Sequence, residues 1–486
     1  IRRLGTDTAI YGVSTIVGRF LSFLLVPFYT NVLHPGENGV VAYVYSLLAF
    51  LNVVWGYGME SAYFKYSSTG EIGTPGQNFS TPFLSLCVTS LLMSGLMAAF
   101  FSPIARWMDI PSAHVSVIPY AAAILFLDTC AIVPFASLRM GHRPLLFASL
   151  KVLNIVVNVA CNIVFLLVFR LGVEGIFLSG AIASGVTLLT LAPTIARQFT
   201  GGFSVPLYRA LLKFGLPYVP AGLASIVIQV IDRPIMLLLT SLSVVGVYQV
   251  NYRLGIFMML VVSMYDFAWR PFFLAHAAEK NAKELFARAL TYSLAVMAAV
   301  FLGVSLFIGD IVRIRLLGRY VIHPDYWSGL PIVPVVLLGY LFLGVYNNLI
   351  AGVYIEKKTQ RLPAITLAGA LVNIGANFLL IPLMGMMGGA VATLLAYAAM
   401  ATVLFVDVRG YYPVAYEWGR IARLALAGAV SFLLYMFIDA GAYEILWKCF
   451  LLVLFVVLLF LLRFFLPEEL HALARWTKRG AQTETR

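Results

Sequence analysis

Charge is what this 486-residue chain lacks most. Asp, Glu, Lys and Arg make up 11 % of it, against about 25 % in an ordinary soluble domain. No polar block is long enough to fold apart from the rest, which excludes a string of water-soluble domains. Cysteine is sparse as well: Cys87, Cys130, Cys161 and Cys449 each lie in an apolar run, without metal-ligand or disulfide-framework spacing. The 6 histidines form no paired motif. Neither paired carboxylates nor a metal cluster appears, so acid/base or metal chemistry has no evident foothold. The expectation is a protein that is not an enzyme and carries no cofactor.

What the chain has instead is apolar length. Hydrophobic residues make up 61 %, and mean hydropathy is +0.93. Such a chain is read in membrane spans of about 20 residues each. Fourteen runs qualify: 8–33, 39–63, 82–104, 117–138, 145–169, 176–196, 214–240 and 246–270, then 289–312, 329–354, 363–382, 387–406, 422–440 and 446–466. Arg19 interrupts the first run, which argues against a cleavable signal.

The net charge of +12 is scattered over short loops rather than gathered on one polar segment. That is the pattern of membrane topology, and nucleic acid is not an expected partner. With the N-terminus inside, most Lys and Arg fall on the cytoplasmic side, Lys151, Arg420 and Arg423 counted among them. The outer segments keep Arg106, Arg170, Arg313, Arg315, Arg319 and Lys448. Both termini are then cytoplasmic. The segment AHAAEKNAKELFARAL and the tail PEELHALARWTKRG have amphipathic character and read as helices lying on the inner surface.

An internal repeat organises the spans. Val157-Asn158-x-x-x-Asn162 and Gly172-Val-Glu-Gly175 in the fifth and sixth are matched by Val372-Asn373-x-x-x-Asn377 and Gly385-Met-Met-Gly388 in the eleventh and twelfth. Gly39-Val-Val-Ala-Tyr43 opens the second span much as Gly246-Val-Tyr-Gln-Val250 opens the eighth. Six spans separate the copies, so the repeat is parallel, with the working site expected between the halves. The chain divides as 1–200 (spans 1–6), 201–410 (spans 7–12), 411–470 (two appended helices) and a cytoplasmic tail, 471–486.

Charges inside spans are the candidate site residues, because at that depth they face a bundle interior or a water-filled cavity. Arg19, Arg233 and Arg253 offer planar donor forks suited to phosphate oxygens, and together predict an anion-binding cavity. The competing reading is salt bridging. Adjacent helical residues point about 100° apart, so Asp232 need not pair with Arg233 and is free to reach Arg253 across the hairpin. Asp128, central in the fourth span, is either an ion-coupling group or a partner of Arg19. Glu60 and Asp266, near the inner ends of spans two and eight, are loop-anchoring or gating candidates. Asn158, Asn162, Asn373 and Asn377 read as helix-to-helix hydrogen-bonding groups, with substrate contact the alternative.

The stretch KFGLPYVPAGLASIVIQVIDRPIM…VGVYQVNYRLG, with VLHPGENGVVAY, WGYGMESAYFKY, RMGHRP and IPLMGMMGGAVAT in order, resembles the polysaccharide-export (Wzx-type) flippases of the multidrug/oligosaccharidyl-lipid/polysaccharide (MOP) exporter superfamily. The resemblance implies an all-α polytopic membrane protein of fourteen transmembrane helices. Two pseudo-symmetric six-helix lobes would flank a V-shaped central cavity, with two appended C-terminal helices. It implies a monomer in the bacterial inner membrane that flips a polyprenyl-pyrophosphate-linked oligosaccharide by alternating access, with or without a sodium or proton as coupling ion. Implied partners are the lipid-linked glycan, membrane lipids and other polysaccharide-assembly membrane proteins. Peptidoglycan-precursor flippases and cation-coupled drug antiporters share the superfamily. Three span arginines favour anionic cargo over cationic drugs. A membrane glycan polymerase or glycosyltransferase is disfavoured by the short outer loops.

Overall fold

The computed structural model describes residues 12, 16, 18, 20, 21, 23–199, 202–316 and 318–469. Arg19 and most of the C-terminal tail lie outside them. Among the described residues, 12 helices are long and apolar enough to cross a membrane, or 13 when Val205–Gly215 and Tyr218–Val230, bent by 43°, count as one span. These account for the second to fourteenth predicted spans. The first run is helical at its described positions through Thr30. The chain is a multi-pass membrane protein.

Local chemistry explains where many helices begin. Pro35, Pro75 and Pro144 stand at or next to the first helical position, where a missing N–H costs nothing. Thr74 and Gln77 form a reciprocal capping box ahead of the third span, with Gln77 N–H donating to Thr74 Oγ1 at 3.3 Å. Gly172 (φ +58°) and Gly385 (φ +57°) turn the chain into the sixth and twelfth spans. Both need a positive φ that only glycine adopts without strain, so the repeat is written in backbone geometry as well as in letters.

Two sequence expectations are corrected. The inner-surface helix expected before the ninth span does not exist as a separate element. After the turn that follows Ile256–His276, a single helix runs Ala282–Arg313. Its first turns bury Phe286, Ala287 and Leu290, so the apolar face of that segment packs on protein rather than on headgroups. Secondly, Arg420, which the runs leave in the loop before the thirteenth span, is not a loop residue. It lies within Trp418–Phe437. Arg420 is buried and clamps the segment after the last span: Nε donates to the Phe464 carbonyl (2.8 Å), and Nη1 and Nη2 meet Glu417 (2.9 Å) and Glu469 (3.0 Å).

The buried core separates along the repeat. One large cluster takes nearly all its residues from Ala224 to Phe464, including Leu424, Ala427 and Phe455 of the appended pair. Three smaller clusters take theirs from Leu25 to Leu211. The helix Val205–Gly215 precedes the bend yet packs into the first half, Leu207 and Leu211 sitting with Met59 and Phe79.

The halves meet where the second span crosses the start of the eighth. A Cβ on Gly39 would collide with the Leu242 carbonyl, and one on Gly246 with the Pro35 carbonyl. Each carbonyl belongs to the residue four before the partner glycine, so the contact is reciprocal, as a twofold relation between repeats requires. We call the end of the bundle holding Arg139, Arg143, Lys357 and Arg361 the basic face. The Gly39–Gly246 crossing lies toward the opposite face.

Candidate functional site

Helical periodicity sorts the eighth-span side chains that matter. In Leu242–Leu254, residues four apart share a face. Tyr248 and Tyr252 turn into the second half, and Gln249 and Arg253 turn toward the seam with the first.

The inward face receives Asp232 and Arg233. Of the two pairings left open for Asp232, the one with its neighbour Arg233 is formed. The seventh span breaks at Ile231, between Tyr218–Val230 and Asp232–Leu239. At that break the Arg233 N–H donates to Asp232 Oδ1 (3.1 Å), and its Nη1 to the same oxygen (2.6 Å). Nη1 also reaches the Gln229 carbonyl (2.5 Å), and Nε donates to Gln249 Oε1 (2.8 Å). The Tyr248 hydroxyl donates to Asp232 Oδ2, and the guanidinium stacks over Tyr252, 4.4 Å from the ring centroid. With Asp232 at 1 % and Arg233 at 4 % exposure, this is a closed polar knot inside one half. Asp232 therefore does not reach Arg253, and Arg233 has few donors left for a ligand.

Arg253 is placed differently. Among the described residues it makes no hydrogen bond and no ion pair. It lines a pocket on the seam with Tyr29 and Asn38 of the first half and Gln249 of its own. The volume, about 10 Å³, holds roughly one water. Its charge is felt at the hydroxyls of Tyr29 and Tyr45 across the seam. A half-buried guanidinium with no counter-charge among the described residues attracts anions. The pocket is too small for a phosphate. Gln249 joins the two arginines, accepting from Arg233 while lining the Arg253 pocket.

The remaining candidates are dispersed. Asp128 accepts from Ser184 Oγ (2.7 Å) within the first half, keeps open surface, and lies close enough to Lys151 to feel its charge. Glu60 forms an ion pair with Arg139, and Asp266 with Arg270 (3.1 Å), both near the basic face. Asn162 donates to the Asn158 carbonyl (2.8 Å) and Oδ1 (3.0 Å), and Asn377 repeats both bonds with Asn373 at the same distances. Of these four, Asn162 alone is seen to link helices among the described residues, by accepting from the Tyr29 hydroxyl (3.0 Å). Arg19, with its expected pairing to Asp128, lies outside the described residues. No group of three or more metal-ligating side chains occurs among the described residues.

Sequence reasoning missed Tyr29, Asn38 and Gln249 as pocket walls. Gln249 was discoverable from its spacing of four to Arg253; the other two belong to a different half. It also missed a cavity of about 1100 Å³ between the second half and the appended helices. Leu294, Phe301, Leu338, Phe405 and Phe432 are among its apolar walls. Asp310, Arg313, Glu444 and Lys448 close one end, with Lys448 Nζ 2.6 Å from both Asp310 and Glu444.

A helical membrane protein of two repeated halves has the fold seen in solved MOP transporters. A lipid II flippase, MurJ, in an inward closed conformation is similar with TM-score 0.74 at 15 % identity, over 93 % of this chain and 98 % of that one. An inward-facing multidrug resistance MATE family transporter of the MOP superfamily gives 0.62 at 16 %, over 81 % and 94 %. A point mutant of the Vibrio cholerae MATE transporter VcmN gives 0.57 at 13 %, over 84 % and 96 %. At these identities the likeness is one of fold. By sequence, no curated protein matches. The profile of the family described as polysaccharide biosynthesis protein matches residues 4–276, and the chain belongs to that family.

Proposed function

We propose that this protein flips an anionic, polyprenyl-pyrophosphate-linked oligosaccharide from the cytoplasmic to the outer leaflet of the bacterial inner membrane, for cell-surface polysaccharide biosynthesis. The basic face is then cytoplasmic, with both termini on that side. The carrying observation is Arg253, a seam guanidinium with no ion pair or hydrogen bond among the described residues, lining a small pocket between residues of both halves. Family membership supports a polysaccharide precursor as cargo. The apolar cavity of about 1100 Å³ beside the appended helices offers a wall suited to a prenyl chain. The likeness to a lipid II flippase favours a peptidoglycan precursor as the second reading. Asp128, with open surface in the first half, is the candidate for coupling to a sodium or proton gradient.

The test is translocation of fluorescent polyprenyl-pyrophosphate oligosaccharide in proteoliposomes, with lipid II as the competing cargo. Arg253→Glu is expected to cut the rate at least about 100-fold, since repulsion replaces attraction in a poorly solvated site. Undiminished flipping of both cargoes by this variant refutes the anion-site reading. Faster movement of lipid II than of the oligosaccharide selects the second reading. An Asp128→Asn protein whose flux still follows an ion gradient removes that residue as the coupling group.

A further inference from the structure

The loop between the ninth and tenth spans is built from the second half and bonded to the first. It contains a small hairpin, Arg315–Leu316 paired with Arg319–Tyr320, and a 3-10 turn, Pro324–Gly329. Tyr326 is completely buried. Its hydroxyl donates to the Leu33 carbonyl (2.9 Å) and accepts from Asn38 Nδ2 (2.5 Å). Asn31 Nδ2 donates to the Tyr320 carbonyl (2.8 Å). Asn31, Leu33 and Asn38 lie at or beside the turn joining the first two spans. The same loop is anchored on its own side: Asn251 Nδ2 donates to the Tyr326 carbonyl (2.8 Å). Gly329 sits so close to Asn251 that a Cβ would collide with the amide. Burial raises the Tyr326 hydroxyl above its ordinary range, against the opposing hydrogen bond from Asn38, which keeps it a donor.

The matching loop of the first half stays at home. His114 Nδ1 lies 3.0 Å and Ser116 Oγ 3.4 Å from Glu174, which belongs to that half. Among the described residues, only one of the two repeated loops crosses the seam by hydrogen bonds.

We propose that the loop 314–331 is a latch for the face opposite the basic one, with Tyr326 as the positioning residue that holds the halves together. Its hydroxyl ties two points of the first half, Leu33 and Asn38, to a loop fixed on the eighth span. The Gly39–Gly246 crossing lies close by: Asn38 precedes one glycine, and Asn251 follows the other by five residues. Helices that touch there backbone to backbone have no side chains to interdigitate, so the hydrogen bonds of the loop set how readily this face opens. The inference rests on the alternating-access part of the proposed function and not on the cargo.

Spin-label distance measurements on the full chain in lipid nanodiscs test it without any substrate. Cys87, Cys130, Cys161 and Cys449 are first replaced by serine or alanine. One label pair, Ser112→Cys with Ala442→Cys, reports the latched face; a second, Arg143→Cys with Lys357→Cys, reports the basic face. Tyr326→Phe deletes the hydroxyl alone, and Gly329→Ala lifts the loop off Asn251. Tyr326→Phe, which loses two buried hydrogen bonds, and Gly329→Ala, which displaces the loop from its anchor on Asn251, are each expected to raise the ratio of open to closed at the latched face roughly tenfold. The basic-face pair should not lengthen. A merely structural Tyr326 would lower the melting temperature and leave the distances where they were. If either variant melts like the parent and both distance distributions match it, the latch is wrong. Should Tyr326→Phe fail to fold, Gly329→Ala decides the question. Because no cargo is present, the latch and the flippase reading fail separately.

Discussion

Ten residues before Gly39 stands Tyr29; ten before Gly246 stands Met236. That single exchange separates two otherwise matched polar ladders. In the first half Asn162 Oδ1 accepts from Tyr29. In the second, Asn377 Oδ1 and Asn373 Nδ2 are buried without a partner among the described residues. The charges differ in the same way. Asp232 and Arg233 stand 14 and 13 residues before Gly246, where Leu25 and Val26 precede Gly39. Arg253 follows Gly246 by seven residues, where Ser46 follows Gly39. What the halves share is the geometry of helix contact: the crossing glycines, the positive-φ turn glycines and the Asn-to-Asn bonds. What they do not share is charge. The second half keeps a neutralised knot in its interior and brings to the seam a cation, Arg253, with no ion pair among the described residues. The first half contributes hydroxyls to that seam and holds an acid, Asp128, with open surface in its own interior.

The comparison is broken most severely at the knot. Asp232→Asn leaves Arg233 buried without its counter-charge and is expected to cost about 3–5 kcal/mol. Asp128→Asn, which removes a carboxylate with surface to spare, should change stability by less than about 1 kcal/mol. Thermal melts of the detergent-purified variants separate the two. Equal losses would mean that the first half leans on Asp128 for stability as heavily as the second leans on Asp232.

The crossing comes next. Gly39→Ala and Gly246→Ala each drive a methyl into the carbonyl of the other half, an overpacking expected to cost about 3 kcal/mol in either case. Gly36→Ala, whose new methyl would sit 3.5 Å from Ser243 Oγ, is the control and should be near neutral. Melts in which Gly39→Ala and Gly246→Ala differ widely would dismiss the reciprocal contact.

The smallest effect sharpens the ladder. Tyr29→Phe makes the first half resemble the second by orphaning Asn162 Oδ1, at a cost of about 1 kcal/mol. The same substitution removes a hydroxyl from the Arg253 pocket, so transport should fall more than stability does. A melt that drops with no change in flux would assign Tyr29 to packing alone.

Much of this was legible beforehand, and for a physical reason. Apolar length sets the spans, the placement of Lys and Arg sets the basic face, and Gly172 and Gly385 announce positive φ; all are local properties. The site was legible in part. Residue type marked Arg253 and Arg233 alike as buried cations. Nothing local said that one would be saturated and the other left without a partner among the described residues. The surface helix expected before the ninth span failed because amphipathicity declares that one face is apolar, not what covers it.

The sequence by itself determined that the chain is a series of apolar spans, their parallel repeat and the residues too costly to bury without a role, because hydropathy, backbone freedom and charge belong to each residue where it stands. The tertiary structure alone decided the roles. The break at Ile231 lets Asp232 close on its neighbour. The phase of Leu242–Leu254 then turns Arg253 to the seam and Tyr252 under Arg233. Pairing is a property of which faces meet, and that is fixed only when the two halves pack.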